Sequence, residues 1–192
     1  MLLIIDNQSQ YLRQFKHNYL DQNDIPHVIF DHNDQINFGN LSEISGLILS
    51  GGKGNPYQPL NLTANYVAMM NCDVPTIGFC LGHEIIAVTY QAKVKRLEEY
   101  QNRKQKIILD KPDDPIFAGL EEPEFMIQKK HRYHVPSCPK DFEIIGHSEV
   151  CEVEIIRHIE KPIYSFQGHP EVSGKDGIKI MDNFMKMCNL TA

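Results

Sequence analysis

The chain has 192 residues, 42% of them hydrophobic, 23% charged and 9% aromatic; that is enough apolar mass for one core, and the length fits a single domain, residues 1–192. Nineteen Lys and Arg against 25 Asp and Glu leave a formal net charge of -6, the wrong sign for a generic nucleic-acid or anionic-membrane binder. The longest clear apolar run, Met1 to Ile5, is too short for a bilayer and has no basic segment before it, and five scattered cysteines without a CxxC pair fit a reduced cytoplasmic protein better than a disulfide framework or zinc ribbon.

Leu2-Leu3-Ile4-Ile5 reads as a short buried strand closed by Asp6-Asn7, and Tyr11, Leu12, Phe15 and Tyr19 then recur at helical spacing. His27–Phe30 and Gly46–Leu49 are the next strand candidates, each bounded by turn residues. A helix carrying Leu62, Tyr66, Met69 and Met70 on one face follows a glycine-rich loop. Val74–Phe79 leads into Cys80 as another strand, and Ile85–Val88 continues as a buried helix. Strands this apolar, separated by helices, predict an α/β fold with a mainly parallel central sheet flanked by helices. The second half is richer in strands: Lys104–Leu109, Glu124–Gln128, Phe142–Ile145, Cys151–Ile156 and Ile163–Phe166. Cys151, Val153 and Ile155 alternate with acidic residues, as in a half-exposed strand. Ile178, Met181, Phe184, Met185 and Cys188 mark a closing amphipathic helix.

The most informative stretch is Gly78-Phe79-Cys80-Leu81-Gly82-His83-Glu84, an apolar strand running into G-x-C-x-G with a helix directly after. That is the pattern of a nucleophile elbow written with cysteine. Flanking glycines make room for a sharp turn, and a helix N-terminus favours thiolate. Alone, the stretch is equally readable as a buried structural cysteine. Gln167-Gly168-His169-Pro170-Glu171, at the end of a strand, decides the matter. A cysteine nucleophile needs a base, and the base an orienting carboxylate. His169 and Glu171, two apart, point to one side if the backbone is extended. Ser50-Gly51-Gly52-Lys53-Gly54-Asn55-Pro56 also follows a strand. It lacks the Gly-Lys-Ser/Thr ending of a Walker A loop and the Asp-Ser of a pyrophosphatase loop, which leaves backbone donors for an oxyanion hole.

Together SGGKGNP, GFCLGHE and GHPE resemble the class I (triad-type) glutamine amidotransferases, with 28 residues from Gly52 to Cys80 and 89 from Cys80 to His169, over essentially the whole chain. The resemblance implies a flavodoxin-like fold and hydrolysis of L-glutamine through a γ-glutamyl thioester on Cys80. His169 would take the thiol proton and give it to the departing ammonia, and Glu171 would hold the imidazole tautomer. Backbone N–H groups of Gly52 and Leu81 would form the oxyanion hole, and Gly51, Gly52 and Glu84 would contact substrate. The resemblance implies no metal and no cofactor on this chain; ATP and Mg would sit on a separate synthetase that receives the ammonia. Asp6-Asn7-Gln8-Ser9-Gln10-Tyr11 is similar to the opening of GMP synthase glutaminase subunits, and the stretch from Cys151 to Tyr164 points the same way. That implies an ATP-pyrophosphatase partner converting XMP to GMP. His131-Arg132-Tyr133-His134 is closer to the anthranilate-synthase type.

One residue departs from the family pattern. Position 84, four after the nucleophile, is glutamate where the family usually has glutamine. An ionised carboxylate accepts but cannot donate hydrogen bonds; it would hold a substrate α-ammonium group, or mark a different γ-glutamyl substrate, or turn inward and pair locally. Lys93–Arg96 and Arg103–Lys106 are small basic clusters, read as a solvated face or part of a docking surface. Besides a glutaminase subunit, the readings to separate are an independent γ-glutamyl hydrolase and a non-catalytic interaction module.

Overall fold

The computed structural model describes residues 1–41, 43–58 and 61–190. In the first half, strands β1 (Leu2–Asn7), β2 (His27–Asp31), β3 (Gly46–Gly52) and β4 (Thr76–Phe79) alternate with helices α1 (Leu12–Phe15), α2 (Thr63–Asn71) and α3 (Leu81–Thr89). The second half supplies β5 (Lys95–Gln101), β6 (Lys104–Leu109), β7 (Glu124–Gln128), β8 (His131–His134), β9 (Phe142–His147), β10 (Ile155–His158), β11 (Ile163–Phe166) and the closing helix α4 (Gly174–Met187).

Among the described residues, nine strands form one sheet in the order β2-β1-β3-β4-β11-β10-β9-β6-β7. Pairing is parallel from β2 through β11 and antiparallel beyond it. The strand-rich second half therefore extends the same sheet instead of building another. Side-chain alternation along β1 divides the core. Leu2 and Ile4 face the cluster with Phe15, Met181 and Phe184 from α1 and α4; Leu3 and Ile5 face the cluster with Ala64, Ala68, Ile85 and Ile86 from α2 and α3. Both faces are thus covered, as an apolar parallel sheet requires.

Several local expectations are corrected. The first helix becomes a π-helix over Lys16–Leu20, which still keeps Tyr19 and Leu20 buried. α2 buries Ala64, Asn65 and Ala68, while Met70 is 85% exposed; small residues let this helix approach β3 closely, and a polar contact replaces an apolar one. On α4, Ile178 faces outward and Ile180 takes its place in the core. Residues 151–154 are irregular, with the β10 ladder starting at Ile155 and shifting register beside Ile156. Ser148 Oγ accepts from the N–H groups of Val150 and Cys151, which bends the chain there. Glu154, expected on a solvated face, is 1% exposed. The Lys95–Arg96 cluster and His131 to His134 pair with each other as the antiparallel ribbon β5–β8.

Candidate active site

β4 ends at Phe79 and α3 begins at Leu81, so Cys80 alone makes the turn, at φ 49° and ψ -103°. That left-handed conformation costs a non-glycine residue about 1–3 kcal/mol and persists only where the surroundings over-determine it. Here the Cys80 N–H donates to the Phe166 carbonyl at 2.8 Å, and its carbonyl accepts from Glu84 N–H at 3.1 Å. Gly82 lets the helix start lie on β3: a Cβ there would stand 2.1 Å from the Leu49 carbonyl oxygen. The Leu81 N–H precedes the first closing bond of α3, so it is one of the free donors at that helix end.

β11 lies parallel to β4 with Phe166 opposite Phe79. Two adjacent parallel strands therefore deliver the cysteine and, three residues past β11, His169 to the same edge of the sheet. The His169 N–H donates to the Gln128 carbonyl at 2.9 Å. Its Nδ1 bonds Glu171 Oε1 at 2.8 Å, both side chains being 4% exposed. The linking backbone is a 3₁₀ turn over Pro170–Val172, not the extended chain expected; the proline starts the turn, and the turn brings the carboxylate back under the ring. Burial works against a charge on His169, but the Glu171 carboxylate and the adjoining Cys80 outweigh it and raise the imidazole to about 10. The ring therefore carries its proton at neutral pH. Tyr11 packs edge-on against it, centroids 4.6 Å apart.

Gly51 touches both groups. A Cβ added there would stand 2.6 Å from His169 Cε1 and 3.4 Å from Cys80 Cβ. Gly51→Ala must displace the imidazole, and glutamine turnover is expected to fall by about tenfold or more. Steady-state kinetics with a parallel melting curve would check this; unchanged turnover would mean the ring position is not critical. The loop itself is held by a buried network: Asn7 N–H donates to Ser50 Oγ at 2.9 Å, and the Asn7 and Asn65 amides exchange bonds at 3.0 and 2.7 Å. Asn65 carried no signal in the sequence beyond being a polar residue in an apolar helix.

A cavity of about 360 Å³ opens beside this set, walled by Gln8 to Tyr11 after β1, Gly52 to Gly54 after β3, and Tyr100, Lys130, Arg132 and Tyr133 from the ribbon side, with His169 at its edge. It lies at the carboxyl ends of β1 and β3, where the strand order reverses, which is the usual ligand position in open α/β sheets. Lys53, Lys130 and Arg132 give it three cationic groups, the last lying 5.5 Å from the Tyr100 ring centroid. A small amino acid with a free carboxylate fits that lining. Of the expected residues, Gly52 and His169 line the cavity; Cys80, 4% exposed, adjoins Gly51 and His169. Sequence reading missed Tyr11, Tyr100, Lys130 and Arg132 as cavity residues. The last three lie on or beside the ribbon, and only its long-range pairing brings them here.

Glu84 is corrected. It is 1% exposed and absent from the cavity lining. Burial raises its carboxyl to about 8, with the neighbouring Gln167 amide pulling the other way. The group is therefore neutral at pH 7 and offers no anion to an α-ammonium. Its folded value exceeds the ordinary 4.5, so the native state binds a proton that the unfolded chain releases. Stability from this group is complete below about pH 4.5 and declines to about pH 8, by roughly 1.4 kcal/mol per unit. Glu84→Gln removes the decline. It should raise the melting temperature at pH 8, with the gap closing at pH 5; an equal effect at both pH values would contradict the assignment.

A family model described as glutamine amidotransferase class-I matches residues 3–188. A chain from Methanococcus aeolicus that bears the name of a glutamine-hydrolyzing GMP synthase subunit is 35% identical, the match covering 99% of this chain and 98% of the relative. One of the same name from Methanocaldococcus jannaschii is 34% identical, covering 98% and 97%. Among solved structures, a GMP synthase subunit from Thermoplasma acidophilum superposes with a TM-score of 0.86 at 27% identity, over 98% of this chain and 93% of that one. A glutamine amidotransferase from Thermotoga maritima shares the fold, with a TM-score of 0.73 at 15% identity over 96% and 80%. Among the described residues no helix is long and apolar enough to cross a membrane. The chain belongs to the class I glutamine amidotransferases.

Proposed function

We propose that this chain is the glutamine-hydrolysing subunit of a two-component GMP synthase, supplying ammonia to a separate ATP-pyrophosphatase subunit that aminates XMP. The observation that carries the reading is similarity over nearly the full length of chains named as that subunit. Cys80 is the nucleophile, His169 the acid–base and Glu171 its orienting carboxylate. The Cys80 sulfur, its proton resting on His169, attacks the side-chain carboxamide carbon of glutamine. Backbone N–H groups of Gly52 and Leu81 receive the developing oxyanion; removing one such donor in a comparable acyl-transfer site costs about 2.7–4 kcal/mol. The C–N bond breaks as His169 protonates the departing nitrogen, leaving ammonia and the γ-glutamyl thioester. Water, deprotonated by the now neutral His169, attacks the thioester carbon, releasing glutamate and restoring the thiolate–imidazolium pair.

This chain carries no cofactor in the proposal, ATP and Mg binding the partner, and it works in the cytoplasm. Ammonia in neutral water is mostly protonated and a poor nucleophile, so the acceptor site must lie against this one. The test mixes the chain with an ATP-pyrophosphatase subunit, XMP, Mg-ATP and glutamine. GMP formation from glutamine is expected to need both chains, with low glutaminase activity from this one alone. Full glutaminase activity in isolation, unchanged by the synthetase, would overturn the reading.

A further inference from the structure

Behind the catalytic edge lies a buried ion pair that the mechanism does not use. Lys129 and Glu154 are 0% and 1% exposed, with Lys129 Nζ in direct contact with Glu154 Oε2. Glu154 Oε1 also accepts from Ser148 Oγ at 2.6 Å. Burying two charges costs several kcal/mol per ion unless geometry and further bonds offset it, so its place in the molecule matters.

That place is between the nucleophile and the base. The segment Gln128 to Lys130 touches both: the Gln128 carbonyl accepts from His169 N–H at 2.9 Å, and the Lys130 carbonyl lies 3.8 Å from Cys80 Sγ. Lys129, between them, reaches the opposite way to Glu154. The Glu154 carbonyl in turn accepts from Gln167 N–H at 2.8 Å, two residues before His169. One ion pair therefore cross-links the strand end that faces the thiol to the chain that leads into the imidazole. It closes a loop of contacts: Cys80, Lys130, Lys129, Glu154, Gln167, His169. The Lys129 charge also acts on the rings around it. After burial, it is the next cause that holds His83 down to about 3 and pushes His131 well below the ordinary imidazole range.

We propose that Lys129, through its buried pair with Glu154, is a positioning residue that sets the approach of Cys80 to His169. A misplacement of about 1 Å from a residue away from the chemistry costs on the order of 10²-fold in rate, so the effect belongs on the reactive step and not on substrate affinity. The inference rests on the catalytic reading of Cys80 and His169.

The experiment measures inactivation by a glutamine-analogue chloroketone, separating the maximal rate from the half-saturating concentration, beside melting curves. Lys129→Met is expected to lower the maximal rate about tenfold or more, with half-saturation changed less than about threefold. Lys129→Met/Glu154→Gln leaves no unpaired buried charge, so its melting temperature should recover while the rate stays low. Glu154→Asp keeps both charges on a shorter arm and should also slow the rate. Lys106→Met/Glu124→Gln, which removes an exposed pair at 2.8 Å far from the site, should match the parent. Unchanged rates in Lys129→Met or Glu154→Asp, or a rate that recovers with stability in the double variant, would overturn the proposal. Cys80→Ala in the same assay keeps the two failures apart: labelling that survives it sinks the catalytic reading, whereas loss there with parental rates at Lys129 sinks only the positioning role.

Discussion

Cys80→Ala is expected to lower glutamine hydrolysis by about 10⁴-fold or more, while ammonia-dependent amination by the synthetase continues at its own rate. The reason is that no other group at the site replaces the sulfur. The other four cysteines are free thiols, and burial pushes Cys138 up to about 11 and Cys151 and Cys188 up to about 12, with Cys72 also raised. None therefore supplies thiolate at neutral pH. Substituting a turn residue held at φ 49° also leaves backbone strain in place, so a melting curve near the parent's would show that the loss is chemical.

Glu171→Gln is expected to lower turnover by about 10²–10⁴-fold, the range in which a triad loses rate when its carboxylate becomes an amide and the wrong tautomer is favoured. The Glu171 charge is the largest influence raising His169, so its removal moves the imidazole downward. A folded value raised to about 10 keeps the ring protonated through neutral pH, and that proton is the one given to the departing nitrogen. In Glu171→Gln the alkaline loss of activity should begin at lower pH than in the parent. A pH–rate profile that falls in height without moving would mean that Glu171 does not tune the base.

The elbow and the His–Pro–Glu turn were readable because local backbone patterns produce them: an apolar strand, glycines two residues either side of Cys80, and a helix start need no distant partner. The parallel half of the sheet was readable for the same reason, through the runs Leu2–Ile5, Gly46–Leu49 and Thr76–Phe79. What escaped depends on contacts between remote segments. Glu154 alternates with apolar residues and so reads as exposed, yet Lys129, 25 residues earlier, draws it inside. Asn65 reads as an ordinary helix residue until Asn7, 58 residues away, pairs with it. Glu84 looks like an anion for substrate until the packing of α3 against the sheet buries and neutralises it. The cationic cavity wall needs the β5–β8 ribbon, whose charged strand has no apolar alternation to reveal it.

The most direct measurement is to treat the chain with a glutamine-analogue chloroketone and map the modified residue by peptide mass spectrometry, with and without glutamine. Cys80 alone should be alkylated, at a rate suppressed by glutamine and strongly reduced in His169→Ala. An unmodified Cys80 at neutral pH, or labelling that ignores both glutamine and His169, would contradict the account.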